Sequence, residues 1–493
     1  MNIGRYIAEN ISKPLLYAIL IISVLIITFA TIKLGFIFGL AIAFIPLFII
    51  YLISILSNPF VGFVTIFITN YYISGLSRYI REMPEGIVMD IILLVTILSL
   101  FLQLFKQDSI YKWGSAANKL TLIAFIWFGY CILELANPGM SVIGWLTNVR
   151  GIAAYFFVIV VITTIIARKY SNFKTILVIW SLLSITAVLK AVGQMIFGFD
   201  SAENYWLFVE GGKTTHIIYS GIRYFSFFTD AANFGTGIAF SGVIFGIASI
   251  YIKERGLKIL FLITFLASMY GMLISGTRGS IAVPFMAFGY LALLSRNIKI
   301  MVTASVFVVS AFLFLYGTEL GNSNSSIRRL RSAFDSNDPS LIVRLNNQQK
   351  LKTFMADKPF GAGIGMSRGE AKTYSANWFL STIPSDSWYV LLWMETGVIG
   401  LILHVILLLS VLAYGTYLVY FRLKDKELRG LVSALLCGLA GVYVASYSIE
   451  IMGQFPTGFI IFICMSFIFL SPVYDKEIQE RKSNNVKLNE VNT

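Results

Sequence analysis

The chain is dominated by apolar segments long enough to cross a membrane, and this feature constrains its fold more than any other. A membrane-spanning helix needs about 20 mostly apolar residues, and by that criterion we count about 14 segments, with 12 or 13 as lower alternatives. We therefore expect an all-α, polytopic membrane helix bundle of about 12–14 spans. The segments lie near 14–32, 35–56, 58–76, 87–105, 120–136, 152–167, 175–197, 232–252, 259–275, 281–295, 299–317, 388–421, 430–449 and 457–473.

Composition supports a membrane domain over a soluble one. Hydrophobic residues make up 57% of the chain and charged residues 13%, whereas soluble domains average about 45–50% and about 25%. The segment at 388–421 is too long for one straight span, so we expect its first third to lie outside the membrane or at its interface. The integral membrane domain should cover residues 1–473.

The distribution of Lys and Arg predicts how the chain is oriented. One set of loops is rich in cations, including Lys112, Lys174, Lys253, Arg296 and Arg422, and Lys482 follows the last span. The positive-inside rule makes this side cytoplasmic, together with both termini. The 137–151 loop, the 198–231 loop and the long stretch 318–386 then face outward. The polar tail 474–493 should be cytoplasmic and partly disordered.

The stretch 318–386 contains helix start and stop signals that are typical of a folded cap. Asp338-Pro339 is typical of a helix N-cap followed by Pro at the first helical position. An apolar stripe of helical spacing follows, and Pro359 with the turn Gly361-Ala-Gly-Ile-Gly365 ends it. The stripe consists of Leu341, Ile342, Leu345, Leu351, Phe354 and Met355. We therefore expect a partly helical extracytoplasmic cap that covers a site on one face of the bundle.

Several arginines lie on the outward side, against the positive-inside bias: Arg150, Arg223, Arg278 and Arg344. Each one alone could cap a helix or meet a lipid head group. An arginine also presents a planar fork suited to bidentate contacts with phosphate. Because the four share a face, we favour an anion site that holds a diphosphate. The basic residues lie between spans, so no nucleic-acid partner is expected.

Four short motifs follow one another between residues 220 and 400. They are Arg223 with Phe228-Thr-Asp230-Ala-Ala-Asn233-Phe-Gly235; Leu273-Ile-Ser275-Gly-Thr-Arg278-Gly-Ser280; Arg344 with Lys358-Pro359-Phe-Gly361-Ala-Gly363-Ile-Gly365; and Pro384-Ser-Asp386-Ser-Trp-Tyr389 with Glu395-Thr-Gly397. In order and spacing this set resembles the O-antigen polymerase and O-antigen ligase superfamily. Ala231 stands where the family usually has proline.

The resemblance implies a membrane glycosyltransferase of the C-type architecture in the bacterial cytoplasmic membrane. Such enzymes take a glycan from undecaprenyl diphosphate at the outer leaflet and pass it to another lipid-linked glycan or to lipid A-core. They need no nucleotide sugar, cofactor or obligatory metal. Other partners expected are membrane lipids and a chain-length regulator or other assembly proteins. The ligases carry His followed by Asn where this chain has Asp386-Ser387, which favours a polymerase.

The reaction needs a base for the acceptor hydroxyl and cations for the leaving diphosphate. We expect Asp386 to be the base and Arg278 and Arg344 to be catalytic. Asp386 could instead only cap the helix starting at Ser387. The substrate-binding candidates are Arg223, Arg150, Asp230, Asn233, Glu395 and Lys190.

Two of these candidates could have roles other than substrate binding, and the protein could belong to a functional class other than enzymes. Lys190 could snorkel from the end of its span instead of binding substrate, and Glu395 could pair with an arginine. A transporter of lipid-linked glycans is the competing class of function. A transporter favours internal repeats and paired broken helices at mid-membrane, and we find no such repeat in the sequence, so we favour the enzyme.

Overall fold

The structure, a computed structural model, is almost entirely helical. It describes residues 13–34, 36–80, 83–106, 109–218, 221–323, 325–335, 338–367, 369–373 and 378–491. The remaining residues of the predicted membrane domain, cap and tail lie outside the described ranges. Over the described ranges the fold is an all-α polytopic membrane bundle, as predicted.

The helices are numbered in chain order. They are α1 (Lys13–Leu34), α2 (Phe36–Ser57), α3 (Pro59–Leu76), α4 (Glu85–Leu104), α5 (Lys119–Leu133), α6 (Val142–Val149), α7 (Tyr155–Ile166), α8 (Tyr170–Phe197), α9 (Ser201–Phe208), α10 (Lys213–His216), α11 (Ala231–Tyr251), α12 (Arg255–Ile274), α13 (Ala282–Leu294), α14 (Ile298–Gly317), α15 (Ser325–Arg331), α16 (Pro339–Phe354), α17 (Trp388–Tyr417), α18 (Lys426–Ala445) and α19 (Thr457–Val491). The strands β1 (Ile217–Ile218) and β2 (Gly221–Ile222) pair antiparallel.

Shorter helical turns connect some of these elements. The 3₁₀ turns are Trp113–Ala116, Glu134–Ala136, Arg278–Ile281, Ser332–Phe334, Gly369–Thr373 and Phe379–Thr382, and the π turns are Arg150–Ala154 and Leu418–Arg422.

Most predicted spans are helices of membrane-crossing length. Among the described residues, 11 helical segments are long and apolar enough to cross a membrane. Two shorter apolar segments, Ile42–Ser57 and Arg278–Leu294, coincide with two more predicted spans. The first predicted span coincides with α1. This is a multi-pass membrane protein.

The described residues divide into two compact units, one within 1–62 and 94–107, the other within 63–93 and 108–493. In the smaller unit α1 packs against α2, and Ser99 Oγ donates to the Ile55 carbonyl at 2.6 Å. The larger unit contains the candidate functional site.

The centre of the larger unit is formed by α11 and α18, which pack against each other and against α13. Glycines make this close packing possible, because in a membrane small residues let helix backbones approach one another. A Cβ added to Gly441 would lie 2.5 Å from the Val283 carbonyl oxygen. A Cβ added to Gly438 would lie 2.6 Å from the Ile244 side chain. These two helices hold the elements that carry the site.

The connection before the sixth predicted span differs from the prediction. We expected a 137–151 loop ending at Arg150, but α6, the π turn Arg150–Ala154 and α7 form one helical segment, Val142–Ile166. Arg150 therefore lies within a span-length helix. Its charge is compensated there, since its guanidinium donates to Asp90 at 2.9 Å.

The long helix α17 is broken at Gly397. Gly397 has φ +69°, a backbone conformation that costs glycine little. The break fits against the glycine-rich turn, because a Cβ on Gly361 would lie 2.5 Å from the Glu395 carbonyl oxygen. The Ala362 N–H also donates to the Met394 carbonyl at 2.9 Å. The glycines of this turn therefore serve close packing.

The predicted cap helix is confirmed as α16. Asp338 is its N-cap, with Oδ1 accepting from the Leu341 N–H at 3.1 Å, and Pro339 is its first residue. Its C-terminal half packs through Leu351 and Met355 into an apolar cluster shared with α17. In the N-terminal half the predicted apolar stripe is not buried, since Leu341, Ile342 and Leu345 are exposed. The reason is that Leu341 and Leu345 line a cavity instead of the cluster.

Candidate functional site

A cavity of 1030 Å³ lies where five segments of the larger unit meet. Its walls are the residues before α11, the turn after α12, the cap around α16, the chain leading into α17, and the connection between α18 and α19. Of the described residues that line it, four are arginines and five are Asp or Glu. These charged residues are Arg223, Arg278, Arg329 and Arg344, with Asp230, Asp335, Asp338, Asp386 and Glu450.

Arg223 is held in the cavity wall by α10 and the turn after α12. Its Nη1 donates to the Thr215 carbonyl at 2.9 Å and its Nη2 to Thr277 Oγ1 at 2.9 Å. Burial lowers the pKa of Arg223, and the nearby Arg278 lowers it further while Asp230 opposes the shift. Arg223 and Arg278 thus line one cavity, as expected from the sequence.

Arg329, on α15, extends the cationic wall. Its pKa is lowered to about 10, first by burial and then by the charges of Arg223 and Arg278. Gly276, at φ +59°, makes room between two of the arginines: an added Cβ would lie 3.4 Å from Arg223 Cγ and from Arg329 Cδ. Three arginines with mutually unfavourable charges in one wall favour the binding of an anion.

Arg278 links the turn after α12 to the cap. Its guanidinium pairs with Asp338 Oδ2, and Nη1 also donates to Ser332 Oγ at 3.2 Å. Asp338 uses its other oxygen to cap α16. One carboxylate therefore fixes both the start of the cap helix and the orientation of Arg278.

Asp230 is the N-cap of α11. Its Oδ1 accepts from the Ala232 N–H at 2.6 Å and from the Asn233 N–H at 2.9 Å. The neighbouring His216 is buried, and its Nε2 accepts from the Ala231 N–H at 3.0 Å. Burial lowers the pKa of His216 to about 4. The histidine is therefore neutral at pH 7, and it supports the start of α11 beside the arginines.

Arg344 and Asp386 lie next to each other in the cavity lining. Arg344 Nε lies 3.9 Å from Asp386 Oδ2, and their side chains are 37% and 48% exposed. Asp386 has φ +39°, in the left-handed region. It does not cap α17, because Ser387 is the N-cap and its side chain accepts from the Val390 N–H. The alternative in which Asp386 merely caps this helix is therefore wrong.

Four predicted site residues lie outside the lining, as far as the described residues define it. Arg150 pairs with Asp90. Lys190 pairs with Asp200 at 3.0 Å and Glu203 at 2.9 Å. Because both cations have carboxylate partners of their own, the structure does not bring them to the arginine wall.

The other two, Asn233 and Glu395, are fully buried. Asn233 Nδ2 donates to the Phe455 carbonyl at 2.7 Å, which joins α11 to the turn before α19. Ser367 Oγ donates to Glu395 Oε1 at 2.5 Å. Ser367 itself lines the cavity, so Glu395 lies one residue behind its wall.

The structure adds residues that the sequence did not single out as site residues. They are Arg329 and Glu450, together with Asp338, which the sequence predicts only as a helix cap. Glu450 lies in the connection between α18 and α19, where it accepts from Ser385 Oγ at 2.8 Å. The sequence signal that could have found it is a carboxylate directly after a span, on the side predicted to face outward.

Arg78 is a further residue that sequence reasoning missed, and it orders the chain between Arg223 and Asp230. Its guanidinium lies 4.5 Å from the ring centroids of both Trp206 and Phe225. It donates to the carbonyls of Ser226 at 3.0 Å and of Thr229 at 3.1 Å. The loop that carries two cavity residues is thus held by a buried cation behind it.

No group of three or more His, Cys, Asp or Glu side chains among the described residues is arranged to hold a metal ion.

A comparison with protein families supports the resemblance noted above. Residues 262–405 match the family model described as O-antigen ligase. The match covers less than a third of the chain and includes Arg278, Arg329, Asp338, Arg344 and Asp386, whereas Arg223 and Glu450 lie outside it. No curated protein matches the chain.

Proposed function

Because residues 262–405 match the family model described as O-antigen ligase, we propose that this protein is a membrane glycosyltransferase. It acts on glycans linked to undecaprenyl diphosphate. It transfers or polymerises repeat units of a surface polysaccharide at the outer leaflet of the bacterial cytoplasmic membrane. The observation that carries the proposal is the convergence of Arg223, Arg278 and Arg329 on one cavity beneath the cap.

The arginine wall is assigned to the donor diphosphate. A leaving diphosphate gains negative charge as its bond to the anomeric carbon breaks, so preset guanidinium groups lower the barrier. Removing one such charge-stabilising donor typically costs about 10²–10³ in kcat. Arg278 is paired with Asp338, and a diphosphate bound at this guanidinium would displace that carboxylate.

Asp386 is assigned as the base and Arg344 as the residue that orients it. The acceptor hydroxyl oxygen attacks the anomeric carbon, its proton passes to Asp386, and undecaprenyl diphosphate leaves with the electron pair of the broken bond. Arg344 lies 3.9 Å from the Asp386 carboxylate. A positioned general base contributes about 10²–10⁴-fold to such a step.

We assign the polymerase reaction because Asp386-Ser387 replaces the His-Asn of related ligases. The ligase reaction, transfer of finished glycan to lipid A-core, is the second candidate, and the description of the matching family favours it. A strain lacking the protein separates the two. Accumulation of single repeat units on their lipid carrier supports the polymerase, and polymer retained on the carrier supports the ligase.

The cavity and cap are assigned to the outer side of the membrane and both chain ends to the cytoplasm. Lys482 pairs with Asp425 and Lys174 with Glu254 at the end of the bundle away from the cavity. By the positive-inside rule that end is cytoplasmic. A cysteine introduced at Lys350, an exposed residue of α16, should react with an impermeant thiol reagent added outside intact cells. Protection until the cells are opened would contradict the orientation.

A further inference from the structure

One cavity wall differs in chemistry from the wall that carries the arginines. It is formed by the connection between α18 and α19, and it contributes Tyr447, Ser448, Glu450 and Gln454 to the lining. The stretch 444–454 contains no Lys or Arg. Tyr447 is 59% exposed, although Ser446 before it is buried. This wall therefore offers an aromatic face, a carboxylate and an amide, and no cation for a phosphate.

This wall is bonded to the residues on both sides of Asp386. Ser385 Oγ donates to Glu450 Oε2 at 2.8 Å. On the other side, Ser387 Oγ and the Trp388 N–H donate to the Ser446 carbonyl at 3.3 and 3.0 Å. Because the chain is attached to the 446–450 stretch before and after Asp386, a group that reaches the Asp386 carboxylate also lies along this wall.

The same wall touches the arginine side at a defined point. A Cβ added to Gly279, the residue after Arg278, would lie 2.2 Å from Ser448 Oγ. Gln454 extends the wall toward the start of α11, since its Oε1 accepts from Thr229 Oγ1 at 3.1 Å. Donor diphosphate and a second ligand can therefore lie side by side across this junction.

We propose that Tyr447, Glu450 and Gln454 form the subsite for the acceptor sugar, which binds as a neutral, hydroxyl-rich ring. This proposal rests on the glycosyltransferase function proposed above and assigns the second substrate within the same cavity. Carboxylate and amide oxygens accept hydrogen bonds from sugar hydroxyls. The exposed ring of Tyr447 covers the apolar face of the sugar. Glu450 and Gln454 determine which acceptor hydroxyl reaches Asp386.

The test compares two ligands on the purified full-length protein in lipid nanodiscs. Undecaprenyl diphosphate alone probes the donor side by equilibrium binding. Lipid-linked repeat units, extracted from a strain lacking the protein, probe the complete reaction by turnover. The variants are Glu450→Gln, which keeps size and hydrogen bonding to Ser385, and Tyr447→Ala. Glu480→Gln, on the exposed tail helix, is the matched control.

Glu450→Gln should raise the apparent KM for repeat units roughly tenfold, the effect of losing one charge-assisted hydrogen bond. Tyr447→Ala should raise it roughly threefold to tenfold. Both should bind undecaprenyl diphosphate within about twofold of wild type, well below the tenfold that corresponds to 1.4 kcal/mol. If Glu450→Gln does not fold, Tyr447→Ala carries the same comparison.

An unchanged KM in the variants would overturn the acceptor subsite while leaving the proposed function in place. Equal losses in KM and in undecaprenyl diphosphate binding would also overturn it, because the wall would then belong to the donor site. A wild-type protein that neither binds undecaprenyl diphosphate nor uses the repeat units would overturn the proposed function and the subsite together.

Discussion

Arg278 and Asp338 form an ion pair that joins the turn between two membrane helices to the first turn of the cap helix. Asp338 accepts from the Leu341 N–H with its other carboxylate oxygen. The pair ties the position of the cap to the arginine that we assign to the diphosphate. Under this assignment, an incoming diphosphate would compete with Asp338 for the same guanidinium.

We predict tighter ligand binding for one substitution of Asp338 and lower stability for another. Asp338→Asn retains a good N-cap and removes the competing charge, so undecaprenyl diphosphate should bind roughly threefold or more tightly. Asp338→Ala removes the cap as well and should cost about 0.5–2 kcal/mol of stability. Equilibrium binding and thermal unfolding measure the two effects. Weaker binding by Asp338→Asn would show that Asp338 orients Arg278 and does not compete with the ligand.

Asp386→Asn should abolish turnover of lipid-linked repeat units and leave undecaprenyl diphosphate binding unchanged. Asn can adopt the left-handed conformation that Asp386 has here, so the backbone is preserved while the base is lost. The expected loss is about 10²–10⁴-fold in kcat. A variant that polymerised at nearly the wild-type rate would eliminate Asp386 as the base. Glu450 would then be the next candidate, because Glu395 lies behind the cavity wall.

Arg78→Met should loosen the loop that carries Arg223 and Asp230. The substitution leaves the buried carbonyls of Ser226 and Phe228 without their donor, at a cost of about 1–3 kcal/mol for each unsatisfied group. Thermal unfolding should report the lost stability, and undecaprenyl diphosphate binding should weaken although Arg78 does not line the described part of the cavity. Unchanged binding together with lower stability would limit Arg78 to a structural role.

The stability of the protein should depend on His216 in mildly acidic solution. Burial lowers the pKa of His216 in the folded protein to about 4, Arg223 and Arg78 act in the same direction, and Asp230 opposes them. The unfolded chain binds a proton at a pKa near 6.5, so stability falls as the pH drops from about 6.5 to about 4. The loss is of the order of 3 kcal/mol and is constant below that window.

His216→Gln removes this titration and is the variant that isolates it. Its unfolding temperature should fall less than that of wild type between pH 6.5 and pH 4. Because the carboxylates that titrate in this window are common to both proteins, the difference between the two curves reports His216. Parallel curves would contradict the assignment of a neutral, buried histidine.

Much of the fold could be predicted because the membrane imposes strong rules on the sequence. Span-length hydropathy located the helices, and the Asp338-Pro339 pair located the start of α16. The break at Gly397 was not predicted, because the length of its segment indicated only that the first third lies outside the membrane or at its interface. The position of Arg150 was mispredicted because hydropathy treats a cation as the end of a span. Its partner Asp90 lies 60 residues earlier in the chain, so the compensation of its charge is a tertiary property.

The site was only partly predictable for the same physical reason. Arg223 and Arg278 stood out because they run against the charge bias of outward loops. Lys190 stood out equally, but the fold places it between Asp200 and Glu203. Glu450 directly follows a predicted span on the outward side, but that position alone does not separate a site residue from an ordinary loop residue. Its place in the cavity depends on the bond from Ser385, 65 residues earlier in the chain.

If the arginine wall binds the donor diphosphate, as we propose, Arg278→Lys and Arg223→Lys should weaken the equilibrium binding of undecaprenyl diphosphate. A compact ammonium cannot reproduce the bidentate fork of a guanidinium, so each variant should bind at least roughly tenfold more weakly than wild type. Arg255→Lys, at an exposed residue on the first turn of α12, is the control and should bind like wild type. Affinities of both cavity variants within about twofold of the control, well short of a tenfold change, would contradict the account.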